Sequence, residues 1–124
     1  MSYAEEHTVT ITTGSTDGAG TGYSDVLTGA VNRIHYTKTD FSDGVDFSIT
    51  SERTGLTIWA QDNVNASAVV APRKATHTTA GVAALYAAGG AAVLDKIALA
   101  NDRIKITVTN GGNSKTGTFT IITE

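Results

Sequence analysis

The feature that most constrains this chain is a strict two-residue alternation of apolar and polar side chains, broken at short intervals by turn residues. Val45, Phe47 and Ile49 alternate with Asp46, Ser48 and Thr50, and Ile104, Ile106 and Val108 alternate with Arg103, Lys105 and Thr107. Successive side chains of a strand point to opposite faces, so this pattern describes a half-buried strand with one face in a core. A helix would instead repeat every 3.6 residues. The alternation recurs at 7–13, where Val9 and Ile11 oppose Thr8, Thr10 and Thr12. It is interrupted at 26–38, where Val31 stands apart from the run Ile34, Tyr36, Lys38. Residues 45–60 read as a hairpin turning at Thr54-Gly55, and 64–71 as a strand ended by Pro72, which cannot donate to a ladder. Residues 93–99, 103–109 and 117–123 read as three closing strands, with turns at Asn101-Asp102 and 110–113. The glycine-rich stretch 14–22 (GSTDGAGTG) reads as a loop.

Many short strands with frequent turn signals predict an all-β fold, a single β-sandwich of jelly-roll or immunoglobulin-like kind spanning residues 1–124. Val45, Phe47, Ile49, Ile104, Ile106 and Val108 are its expected core. Residues 72–92 are expected to form a long connection between the two sheets. Within 80–94 (AGVAALYAAGGAAVL) alanine and leucine favour a helix, and Gly89-Gly90 limits it to a short one before them.

Composition removes several classes of function. The chain has no cysteine, so disulfides, thiolate metal sites and cysteine nucleophiles are all excluded. A net charge of -3 gives no basic field for a nucleic acid backbone. No run approaches the ~20 apolar residues that span a bilayer. The start MSYAEEHTVT lacks the basic and apolar regions of a signal peptide, so synthesis in the host cytoplasm is expected. Charged residues make up only 17% of the chain, which implies a surface of hydroxyls and small side chains that sheds water readily on contact with another protein.

Candidate chemistry is sparse. His7, His35 and His77 are scattered and show no metal-ligand spacing. Asp40, Asp43 and Asp46 flank Gly44, but the order is not that of an EF-hand loop and suits a hairpin turn better. Ser24-Asp25 and Ser51-Glu52 lack the Gly-x-Ser-x-Gly elbow of a hydrolase. Neither glycine-rich segment, GSTDGAGTG or NGGNSKTGT, carries the phosphate-loop sequence. Trp59 ends a strand, where core packing competes with a role as a stacking platform for a sugar. The expectation is a protein that is not an enzyme and has no cofactor, no metal and no catalytic residue.

The order of several segments carries a resemblance. They are Val31-Asn32-Arg33-Ile34-His35-Tyr36, DFSDGVDFSITSERTGLTIWAQDNVNAS, VAPRKATHTTAG, ALYAAGG and LANDRIKITVTNGGNSKTGTFTI. Over residues 28–122 the chain resembles a family of small tailed-bacteriophage virion structural proteins encoded in the head and connector cluster. The recurring elements are Asp-Phe with Val-Asp-Phe, Asn-Val-Asn-Ala, Pro-Arg-x-Ala-Thr-His and the closing Asn-Gly-Gly-Asn-x-Lys-Thr-Gly-Thr-Phe. The resemblance implies a location on the capsid surface of the virion, as a decoration or cement protein bound to the major capsid protein and other virion proteins. A homo-oligomer stays open. The alternatives are a neck or tail component and, from another class, a carbohydrate-binding module using Trp59. Partner contacts are expected from irregular segments. These are an extended tail at 1–7 with Tyr3, Glu5 and Glu6, the loop 14–22, and the connection 72–90 with Pro72, Arg73 and Tyr86.

Overall fold

The computed structural model describes residues 4–124. Among these residues eleven strands run in order: β1 (Glu5–Thr12), β2 (Gly20–Tyr23), β3 (Leu27–Lys38), β4 (Val45–Ser51), β5 (Thr57–Val64), β6 (Ala68–Val70), β7 (Lys74–Ala75), β8 (Leu94–Asp95), β9 (Ile97–Asp102), β10 (Ile104–Thr109) and β11 (Thr116–Thr123). Nine of them form two antiparallel sheets. One has the order β1-β11-β3-β6, with β9 also pairing β3, and the other β2-β10-β4-β5. β7 and β8 pair only with each other. The expected all-β sandwich holds.

The alternating strands place their apolar sides inward as the sequence requires. Val45, Phe47, Ile49, Ile104, Ile106 and Val108 are all buried, in one cluster with Ile34, Tyr36, Phe119 and Ile121 from the facing sheet. Aromatic rings join the layers: Phe47 of β4 lies 5.2 Å from Tyr36 of β3 and 5.1 Å from Phe119 of β11. Offset and edge-on rings of this kind add to what area burial alone contributes.

Two irregularities explain where the alternation falters. The register of β3 on β11 shifts between Ile122 and Thr123, so Val31 and Ile34 both face inward although three positions apart. On β5 the shift against β4 between Ile49 and Thr50 brings the neighbours Ile58 and Trp59 both into the core. Such bulges twist an edge strand and discourage uncontrolled pairing.

The sandwich is closed along one side by β1 and β2, which are consecutive in the chain but lie in different sheets. Residues 20–22, read as loop from sequence, are strand. Gly20 and Gly22 pair with Val108 and Ile106 on the inward face. A β-carbon on Gly22 would lie 2.9 Å from Ile11 Cγ1 and 3.2 Å from Val9 Cγ1. Glycine is therefore what lets the side chains of β1 fold over the edge of β2. The opposite side, between β5 and the collinear β6 and β9, is not closed in this way.

Two expectations need correction. The connection 72–92 does not cross between sheets, because β6 and β9 both pair with β3 and the chain leaves and rejoins the same sheet edge. Nor does it hold a helix, since among the described residues there is none. The alanine-rich run is cut by Gly81 and Gly89, both at positive φ. Its amides turn across the segment instead of four residues back, and a helical stretch this short is marginal on propensity alone.

Candidate interaction surface

Residues 74–95 form an arm that stands off the sandwich. Its stem is the β7–β8 pair, Lys74 with Asp95 and Ala75 with Leu94. Beyond the stem, three backbone segments are stitched together: Thr76 N–H donates to Val93 O (2.8 Å), Ala84 N–H to Thr76 O (2.9 Å) and Val93 N–H to Ala84 O (2.8 Å). Two turns project from this knot. Thr78 N–H donates to Val82 O at 2.8 Å in one, and Gly90 N–H to Ala87 O at 2.8 Å in the other. The arm is thus a hydrogen-bonded structure that adds nothing to the core.

Its surface has unusual chemistry. Residues 75–94 contain no Asp, Glu, Lys or Arg. Tyr86 is 75% exposed, Val82 63%, Leu94 55% and Leu85 45%. Of the eight large apolar residues exposed among the described residues, these four sit on this one segment. Scattered exposed apolar side chains are ordinary, whereas apolar groups gathered on one projection mark a contact surface.

The other residues singled out from sequence fall as follows. Tyr3 lies outside the described residues. Glu5 and Glu6 are exposed but belong to β1, paired with Thr123 and Ile122, so the chain is strand from Glu5 onward and not free tail. Pro72 is buried. Half-buried Arg73 donates from Nη1 to Asn32 O (3.1 Å) and Pro72 O (2.8 Å), which fastens the root of the arm to β3. Tyr86 is turned to solvent.

Trp59 is only 9% exposed, stands edge-on to Phe47 at 4.8 Å, and donates from Nε1 to Gln61 Oε1 at 3.1 Å. It presents no open face for stacking on a sugar. The three acids around Gly44 each have an internal partner. Asp40 accepts from Thr116 N (2.5 Å), Asp43 pairs with Lys38, and Asp46 accepts from Asn63 N (2.8 Å) and Asn110 Nδ2 (2.7 Å). Those bonds, the Asn63 amide first, hold the Asp46 carboxyl below its usual pKa. Among the described residues no group of three His, Cys, Asp or Glu side chains is placed to hold a metal ion.

The two glycine-rich segments prove to be one structure. Gly111 N–H donates to Gly18 O, Ser114 N–H to Gly14 O and Thr13 N–H to Lys115 O, at 2.8–2.9 Å. These amides are consumed in joining the loops and form no anion cradle.

A buried polar pair went unseen in the sequence. Asp102, read as a turn residue, ends β9 and is buried with Ser51. Ser51 Oγ donates to Asp102 Oδ2, Arg53 N–H donates to Asp102 Oδ1 (3.0 Å), and Ser51 Oγ accepts from Thr54 Oγ1 (2.9 Å). The Ser51 hydrogen bond, with the amides of Arg53 and Arg103, outweighs the effect of burial and lowers the Asp102 pKa. The network ties the β4–β5 turn to the β9–β10 corner. Ser24, the other serine weighed as a nucleophile, donates to the Asp25 carbonyl at 2.8 Å.

No family profile and no curated protein matches this chain.

Proposed function

We propose that this protein is a binding domain of a bacteriophage virion, a capsid decoration protein that holds neighbouring major capsid subunits through its projecting arm. The observation that carries this reading is the arm itself, uncharged from 75 to 94 and exposing Val82, Leu85, Tyr86 and Leu94. Leaving such side chains in water forgoes roughly 25 cal/mol per Å² that contact with a partner would recover. The segment resemblance supplies the virion context, and the arm contains ALYAAGG, one of the segments that carry it.

The division of labour is physically coherent. The sandwich core provides stability, so the arm is free to be shaped for contact. A domain that binds only the assembled lattice stabilises that lattice by mass action, in proportion to affinity and occupancy. Repetition across the lattice multiplies a modest single contact. The experiment is quantitative mass spectrometry of purified particles with localisation by electron microscopy. Many copies spread over the head are expected. A few copies confined to one vertex would replace this reading with a neck or tail role, and absence from particles would remove both.

A further inference from the structure

The turn between β10 and β11 carries the one Asn-Gly pair in the chain, Asn110-Gly111. Such a pair has a chemistry of its own. The backbone nitrogen of the second residue can attack the side-chain carbonyl carbon of the asparagine, and a glycine there, with no side chain, leaves the approach open. The new bond expels ammonia and closes a succinimide ring, which water opens to aspartate or isoaspartate. Water is the only co-reactant.

The fold leaves neither residue free to be exchanged. Asn110 follows the pairing of Thr109 with Asp46 and has φ 57°, a left-handed conformation that asparagine tolerates better than most side chains. Gly111 is buried, and a β-carbon on it would lie 3.0 Å from Thr13 Cγ2 and 3.3 Å from both Phe41 Cδ1 and Val108 Cγ1. Packing therefore fixes the labile pair, and the reaction has to be restrained by geometry. Two hydrogen bonds do so. The Gly111 N–H, whose proton must leave before the nitrogen attacks, donates to Gly18 O at 2.9 Å. Asn110 Nδ2 donates to Asp46 Oδ2 at 2.7 Å, which holds the side-chain amide against β4.

We propose that Asn110 is a modification site, kept unreacted by the joint between the loops 14–18 and 110–115 and converted to aspartate and isoaspartate once that joint opens. Closing the joint again does not undo the conversion. An aspartate at 110 sets a second carboxylate against Asp46 where an amide now donates, and Asp62 of β5 lines the same hollow. An isoaspartate adds a methylene to the main chain where Gly111 packs beside Thr13 and Phe41. Opening thus leaves a permanent mark on the β4–β10 corner. The proposal concerns this end of the sandwich and stands apart from the capsid reading, which concerns the arm.

The test follows residues 106–115, which trypsin releases between Lys105 and Lys115, by mass spectrometry during storage in mildly alkaline buffer. Fragmentation separates conversion at Asn110 from conversion at Asn113, and the same segment as a synthetic peptide supplies the unrestrained rate. Asn110 in the folded protein is expected to convert at least about tenfold more slowly than in the peptide, because the reaction waits on local opening. In urea the rate should rise with the open population and reach that of the peptide when the chain unfolds. Asn110→Asp should melt below Asn110→Gly, which also loses the bond to Asp46 but brings no charge. Conversion of the folded protein at the rate of the peptide, no conversion in the unfolded chain, or Asn110→Asp melting at or above Asn110→Gly would overturn the assignment.

Discussion

Phe41 lies so close to Gly117 that a β-carbon at residue 117 would come within 2.3 Å of the Phe41 Cε2 atom. Phe41 sits on no strand, yet it is among the most buried side chains and stacks on Tyr36 at 6.3 Å. Gly117 is thus the slot in β11 that admits it. Gly117→Ala is expected to destabilise by about 1–3 kcal/mol through overpacking. Adding Phe41→Leu should cost less in that background than alone, because the two residues share one space. Additive losses in urea melts would show that the ring moves freely away.

Phe47 touches Tyr36, Trp59 and Phe119, and so joins the two layers at their centre. Phe47→Ala is expected to cost about 3–5 kcal/mol, a large part of the stability of a domain this size. A thermal melt within a degree or two of the parent would contradict that placement.

The Ser51–Asp102 pair makes stability depend on pH in one direction. The folded state lowers the Asp102 pKa, so its contribution is present above the unfolded carboxylate value near ~3.9 and is lost as pH falls through the folded value. Asp46, Glu52 and Glu124 are lowered as well and act in the same sense. The free-energy gap between the parent and Asp102→Asn should therefore be widest near neutrality and shrink in acid. A gap constant from pH 7 down to pH 2 would contradict it.

Asp40, Asp43 and Asp46 are each bound to partners within the fold, so adding a strong chelator should leave the melting temperature unchanged. A drop of several degrees would mean that these carboxylates hold an ion.

How much of this was legible in the sequence depends on which force decided each element. β4 and β10 were plain because one face meets a continuous core and period two survives. β2 was hidden, since the residues that make it a strand are glycines chosen by Val9 and Ile11 of the facing sheet. The arm was misread because local propensity favours helix in its alanines, while cross-segment hydrogen bonds from Thr76, Ala84 and Val93 decide its shape. Tyr86 was a candidate because it lies in a segment expected to be irregular, and it is exposed there.

The central claim is that the arm, and not the sandwich, makes the attachment. Replacing residues 77–92 with a Gly-Gly turn removes both exposed lobes and leaves Lys74, Arg73 and every core residue in place. The shortened protein should melt close to the parent. Both proteins are then sedimented with expanded, empty phage heads. The parent is expected to travel with the heads and the shortened form to stay in the supernatant. If the shortened form decorates heads as fully as the parent, the arm is not the anchor; if neither binds, the capsid assignment itself is wrong.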